Sequence, residues 1–280
     1  MTVVLSPVIT VDGLRAVIDN GSTVVVEVTR ERRDEAATAP DQVGRIPGAH
    51  AVDLAELTGA HRPGAGATPL PDAEQVRVLV ERWGVHDAST VVVATSDHPS
   101  TATRAGWVLR WAGLADVRFL DGGRDAWLAA GDTLTTERPT EGGGTATVTL
   151  GALPTVDSDA AAEAARGDRL VDARGAGAHA GVPDDGDGAP TGHIPGAVSL
   201  PAAGALRGGA LADESTLRAR YAPYLHAAAA GEVPLVASCG SGVAATVDVL
   251  ALTVLGVTVP LYPGSFTGWV EEGRPVAKGV

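Results

Sequence analysis

The sequence predicts an α/β protein made of two copies of one unit, each a mainly parallel sheet flanked by helices. Three observations carry that prediction. Short apolar runs, Val-rich at residues 23–28 and 91–95 and Leu-Val-Ala at 235–237 of the run 235–238, read as buried strands. Helical stretches separate such runs, and crossover helices are what parallel strands need. The landmarks of the first half then return, in the same order, in the second.

In the first half, residues 11–20 have the pattern of a short amphipathic helix and residues 23–28 that of a buried strand. A polar loop at 29–44 leads into Arg45-Ile46-Pro47-Gly48-Ala49-His50-Ala51-Val52-Asp53. Residues 72–83 predict a helix, because Pro71 precedes them and the first turn is acidic. A second buried strand at 91–95, a helix at 101–112 and a third strand at 117–120 follow, and Gly122-Gly123-Arg124-Asp125-Ala126-Trp127 closes the unit.

The second half repeats these landmarks. Leu170-Val171-Asp172-Ala173-Arg174 matches the strand ending at Thr29, and Gly192-His193-Ile194-Pro195-Gly196-Ala197-Val198 matches the run from Gly44. Residues 235–238 match 91–95, and Gly264-Ser265-Phe266-Thr267-Gly268-Trp269 matches 122–127. Residues 136–153, rich in Thr, Gly and Pro around Gly142-Gly143-Gly144, have no period and read as a linker. Domains are therefore expected at 1–135 and 154–280, with long loops at 58–71 and 175–192 where binding often happens. Only the second holds a cysteine, Cys239. At the matching place the first offers Ser96 or Asp97, depending on where a one-residue gap falls.

Composition narrows the function. With 45% apolar but only 4% aromatic residues, the cores must be built from Ala, Val and Leu. A net charge of −13 with dispersed basic residues argues against nucleic acid, which needs clustered Lys and Arg. One cysteine excludes internal disulfides. No signal peptide or membrane-spanning stretch is read, so a cytoplasmic protein with no membrane partner is expected.

The chemistry points to Cys239, where an apolar run ends, small residues follow, and residues 244–255 read as an alanine-rich helix. A thiolate is the nucleophile, and a helix N-terminus or converging backbone amides stabilise it. Gly240, Ser241 and Gly242 allow the backbone to bend into a cup of inward N–H groups, and Ser241 adds a hydroxyl. The competing reading is an inert buried thiol, the common fate of a lone cysteine. Phosphatase-like cysteines need an arginine six positions on. Here Ala245 stands there, and residues 240–245 carry no charge, which argues against phosphate-ester chemistry.

Two repeats with paired Ile-Pro-Gly-Ala and closing Trp elements, and a cysteine only in the second, resemble the tandem-domain rhodanese sulfurtransferases over essentially the whole chain. The loop Cys239-Gly240-Ser241-Gly242-Val243 is similar to that of the mercaptopyruvate sulfurtransferases. The resemblance implies two rhodanese-like domains, the first without a catalytic cysteine, and a ping-pong reaction. Cys239 takes a sulfane sulfur from thiosulfate or 3-mercaptopyruvate and becomes a persulfide held by the amides of Gly240, Ser241, Gly242, Val243, Ala244 and Ala245. It then passes the sulfur to a thiophilic acceptor: cyanide, a thiol or a protein. The resemblance implies no metal and no organic cofactor.

Departures from the family pattern bear on the donor. The loop usually continues with Thr, where this chain has Ala244. Mercaptopyruvate enzymes supply two arginines from the segment matching 175–191, which here has no Arg or Lys and carries Asp184, Asp185 and Asp187. They also have an acidic residue at the position of Ala55, two after Asp53. Arg174 is the remaining candidate for holding substrate, against a structural ion-pair reading. His50 and His193 are expected to pack in turns, Trp127 and Trp269 in the cores, and Trp269, Phe266 and Arg207 are candidates for the pocket border. Two other functions stay open: a binding or regulatory module that kept the fold and lost turnover, and a redox sensor or protein-sulfur relay.

Overall fold

The computed structural model describes residues 6–30, 44–182, 191–233 and 235–279. It has two compact units dividing between Ala152 and Leu153, except that Ala60–Leu70 belongs with the second unit and Gly208–Ala210 with the first. The fold is the expected one, parallel sheets flanked by helices in both units.

The first unit runs β1 (Val8–Ile9), α1 (Val11–Val17), β2 (Thr23–Thr29), β3 (His50–Asp53), α2 (Ala73–Arg82), β4 (Thr90–Ala94), α3 (Pro99–Trp111), β5 (Asp116–Leu120) and α4 (Gly123–Ala129). Its five strands are all parallel, in the order β1-β5-β4-β2-β3. The Val-rich strands are central and buried on both faces, which is why they lack polar alternation. Asp72 and Gln75 form a capping box at the start of α2. α3 begins at Pro99, earlier than the apolar pattern suggests. His98 caps it, and a proline at the first helical position gives up only an N–H that has no partner there. Residues 136–152 form no helix or strand, yet their backbone bonds to Arg82, Val85, Ala112 and Trp111, so this stretch lies along the first unit. Gly144 is obligatory there, since a Cβ would sit 2.0 Å from the Val80 carbonyl oxygen.

The second half of the chain runs α5 (Ser158–Arg166), β6 (Leu170–Asp172), α6 (Ala176–Ala180), β7 (Val198–Ser199), the short strands β8 (Leu206–Arg207) and β9 (Ala210–Leu211), α7 (Glu214–Arg220), α8 (Ala222–Ala229), β10 (Val236–Ser238), α9 (Ala245–Val254) and α10 (Ser265–Glu271). Its parallel sheet has the order β10-β6-β7. The repeated motifs are core devices. Ile46 and Trp127 are buried in one core, Ile194 and Trp269 in the other, and each Trp Nε1–H donates to a backbone carbonyl, of Thr133 and Pro275 respectively.

Register settles which residue matches Cys239. In the first unit Val26 lies opposite His50 and Glu27 opposite Ala94; in the second Val171 lies opposite Val198 and Asp172 opposite Ser238. The Ile-Pro-Gly-Ala motifs equate His50 with Val198, hence Val26 with Val171, Glu27 with Asp172, and Thr95 with Cys239. The hydrogen bonds agree: the Thr95 carbonyl accepts from Arg124 N–H as the Cys239 carbonyl accepts from Phe266 N–H. The counterpart is Thr95, not Ser96 or Asp97, because the turn before α9 is longer than the turn before α3 and sequence alone does not locate the gap.

Candidate active site

Cys239 is the first residue beyond β10, and the start of α10 fixes the chain around it. Its carbonyl accepts from Phe266 N–H at 2.9 Å. The Gly240 carbonyl accepts from both the N–H and the Oγ1 of Thr267, each at 2.9 Å. The Cys239 N–H donates to Ser265 Oγ at 3.1 Å, and that hydroxyl donates to the Tyr262 carbonyl. In a trans peptide C=O and N–H point in opposite directions, so with these carbonyls tied to α10 the amides of Gly240 and Ser241 face away from it.

Gly242 completes the turn. Its φ of 77° is open to glycine, and a Cβ there would lie 2.5 Å from the Pro263 carbonyl oxygen. Its N–H donates to Cys239 Sγ at 3.1 Å. Among the described residues, the amides of Gly240, Ser241, Val243 and Ala244 have no acceptor in the protein, and Ala244 gives α9 no side-chain cap. Unspent N–H groups beside a sulfur suit a negative charge, as a nest of amides does. Cys239 is 2% exposed, whereas Gly240, Ser241 and Ala244 are half-buried, so a reactant meets the loop backbone before the thiol. The Ser241 hydroxyl is likewise unbonded among the described residues.

Arg174 lies beside the loop, its Cδ 3.5 Å from where a Cβ on Gly240 would be, with its guanidinium stacked 4.2 Å above the Phe266 ring. Two of its three guanidinium nitrogens are engaged. Nε reaches Asp172 Oδ1 and Oδ2 at 3.0 and 3.1 Å, and Nη2 donates to Asp172 Oδ2 and, at 2.6 Å, to the Gly192 carbonyl. Burial disfavours the Asp172 carboxylate, but the Arg174 hydrogen bond and charge, together with His179, outweigh it and hold that carboxyl below its usual range. His179 Nδ1 meets Asp172 Oδ2 at 3.1 Å, and burial lowers its pKa, so at neutral pH it is the neutral donor.

The other candidates are engaged with neighbours of their own. His193 stacks on His179 at 3.9 Å and donates from Nδ1 to the His179 carbonyl, a turn-packing role. His50 is buried near Trp83, and burial lowers its pKa. Arg207 is exposed and bonds to the Leu206 carbonyl. Asp53 caps the helical turn at Leu54–Leu57 together with Glu56. Asp184, Asp185 and Asp187 lie outside the described residues. Among the described residues no group of His, Cys, Asp and Glu could hold a metal ion, and no helix is long and apolar enough to cross a membrane.

The sequence marks Ser265 and Thr267 only as members of the repeated closing motif, and does not show their work or the place of Ala60–Leu70. Gly64 and Gly66 of that segment donate to Glu271 Oε2, and Ala67 donates to Thr267 Oγ1. The Asp172–Arg174 pair had a signal: residues two apart at a strand end share a face.

Comparison with known proteins agrees with this architecture. The rhodanese-like domain family matches residues 10–130 and 157–272. SseB of Mycobacterium tuberculosis is 36% identical over 97% of this chain and 96% of its own length. The 3-mercaptopyruvate sulfurtransferase of Escherichia coli K12 is 32% identical over 81% of this chain and 80% of its own. The crystal structure of SseA from Escherichia coli, described as a 3-mercaptopyruvate sulfotransferase with the rhodanese fold, superimposes with a TM-score of 0.74 at 26% identity, covering 94% of this chain and 99% of that one. With both repeats matched and relatives spanning its length, the chain belongs to the rhodanese family, as a tandem-domain sulfurtransferase.

Proposed function

We propose that the enzyme moves a sulfane sulfur through a persulfide on Cys239. The observation that carries this is the unspent backbone amides of Gly240, Ser241, Val243 and Ala244 around a thiol that already accepts from Gly242 N–H. The Cys239 thiolate attacks the outer sulfur of thiosulfate, or the thiol sulfur of 3-mercaptopyruvate. A bond forms between Sγ and that sulfur. The donor's S–S or C–S bond breaks, and its electron pair leaves with sulfite or, after protonation, with pyruvate. An acceptor nucleophile then attacks the terminal sulfur and the Cys239 thiolate departs.

The uncharged loop separates this chemistry from phosphoryl transfer, which needs a free arginine fork. Arg174 contributes positive potential beside Gly240, with Nε and Nη2 committed to Asp172 and the Gly192 carbonyl, so most of its fork serves to fix its place beside the loop. The lack of Arg and Lys in residues 175–191 favours thiosulfate over mercaptopyruvate as donor. Tight burial of the thiol and an arginine paired to a buried acid are also what a binding module that lost turnover would show.

Incubation with either donor followed by intact mass measurement separates the readings. The protein should gain one sulfur atom, lose it on addition of cyanide, and gain nothing as Cys239→Ala. An unchanged mass with both donors would leave the binding module as the better account.

A further inference from the structure

We propose that Thr267 is a positioning residue for sulfur transfer, its hydroxyl setting the plane of the Gly240–Ser241 peptide and so the aim of the Ser241 amide. The inference rests on the reading of Cys239 as the nucleophile. Thr267 holds the Gly240 carbonyl twice, through its N–H and through Oγ1, and one N–H alone would leave the peptide free to tilt about that contact.

The direction of the hydroxyl proton is imposed by the Ala60–Leu70 segment. Ala67 N–H donates to Thr267 Oγ1 at 3.0 Å, so that oxygen accepts from Ala67 and its own proton is left for Gly240. The segment is seated for this. Glu271, one helical turn beyond Thr267, takes the amides of Gly64 and Gly66 at 3.1 and 3.3 Å. A Cβ at Gly264 or Gly268 would stand 2.6 or 2.5 Å from the Gly64 carbonyl oxygen, so only glycine at both positions admits the segment. A stretch distant in sequence thus holds the sulfur-carrying loop in its donor-ready form through one hydroxyl. In the first unit the residue matching Thr267 is the exposed Asp125, whose carboxylate cannot donate.

The test measures persulfide formation against time by intact mass in full-length T267V, T267S and wild type, over a range of thiosulfate and of mercaptopyruvate. T267V keeps the shape and removes the hydroxyl, so saturated loading should slow about tenfold while the half-saturating donor concentration stays within about twofold, the pattern of lost aim and not of lost binding. T267S should load at nearly the wild-type rate. E271A, a surface change that loosens the segment, should slow loading about threefold and combine with T267V less than multiplicatively, since both act through one hydroxyl. It carries the test if T267V loses its fold. Loading of T267V at the wild-type rate, equal slowing by T267S and T267V, or multiplicative E271A and T267V effects would overturn the assignment. A wild-type protein that takes up sulfur from neither donor would overturn the sulfurtransferase reading and this inference with it, whereas slowing confined to the variants leaves that reading standing.

Discussion

The strand-to-helix turn occurs twice in this protein, and its two versions differ in what their backbone amides are doing. In the first unit Thr95 Oγ1 accepts from Asp97 N–H, Asp97 accepts from Arg30 N–H, and His98 caps α3 at Ser100, with Pro99 contributing no N–H at all. An acidic side chain and a capped helix leave little there for an anion. In the second unit the longer loop leaves the amides of Gly240, Ser241, Val243 and Ala244 unspent among the described residues and aims that of Gly242 at sulfur. The closing elements differ in the same sense. Gly123, with φ 58°, lies where a Cβ would come 2.5 Å from the Thr95 carbonyl oxygen; its counterpart Ser265 holds φ 49° despite its side chain. A non-glycine residue there costs about 1 kcal/mol, and in return the hydroxyl fixes the Cys239 amide. Duplication supplied the frame, and the loop supplied the site.

The strongest way to break this comparison is to move the nucleophile. C239A should lose persulfide formation entirely, and adding T95C in the same chain should not restore it, because the thiol would sit beside Asp97 at a capped helix. Sulfur uptake by the C239A/T95C protein, read by intact mass, would show that any thiol at this turn suffices and that the loop is incidental.

Next in size is the pair of matched buried acids. Glu27 is held by Arg124 and accepts from Ile46 N–H, while Asp172 is held by Arg174 and His179. Removing the cation strands a buried carboxylate, so R124A and R174A should each destabilise the fold by about 3 kcal/mol in urea titrations. Only R174A should also slow persulfide loading, since only Arg174 borders the loop. R174K should not recover the loss, because an ammonium cannot reproduce the fork. Equal loading by R174A and R124A would detach Arg174 from the site.

The frame was legible because its causes are local. Val-rich strands, turn glycines and buried Ile and Trp landmarks follow from rules that act within a few residues, and they recur at matching spacing. The Cys239 loop was legible for the same reason: a lone thiol between a strand and a helix, with glycines beside it. What sequence did not reveal depends on register and distance. The match of Thr95 to Cys239 required strand pairing, because the turns differ in length. The engagement of Arg174 required knowing that its Nε and Nη2 are taken by Asp172 and by the Gly192 carbonyl. Ala60–Leu70 has no period, and its seat on α10 is made by backbone groups and glycines that leave no chemical signature.

The smallest effect separates the helices behind the two turns, each of which buries a charged side chain, Arg104 in α3 and Asp248 in α9. Burial raises the Asp248 carboxyl from 3.8 to about 6, against the Tyr221 hydroxyl that donates to Oδ1 and the Arg220 guanidinium 3.6 Å away. An acid whose pKa is higher folded than unfolded binds its proton more tightly in the native state. Its contribution is therefore fully present below 3.8 and lost as pH rises through about 6. The loss should amount to about 2–3 kcal/mol across that window. D248N keeps an acceptor for Tyr221 and cannot ionise, so its stability should not fall in this range. Urea titrations of both proteins at pH 4.5 and 7 should show the wild type losing ground to D248N as pH rises. Parallel behaviour would mean that Arg220 already neutralises the carboxylate in full, which would make the buried charge of α9 as quiet as the rest of the frame.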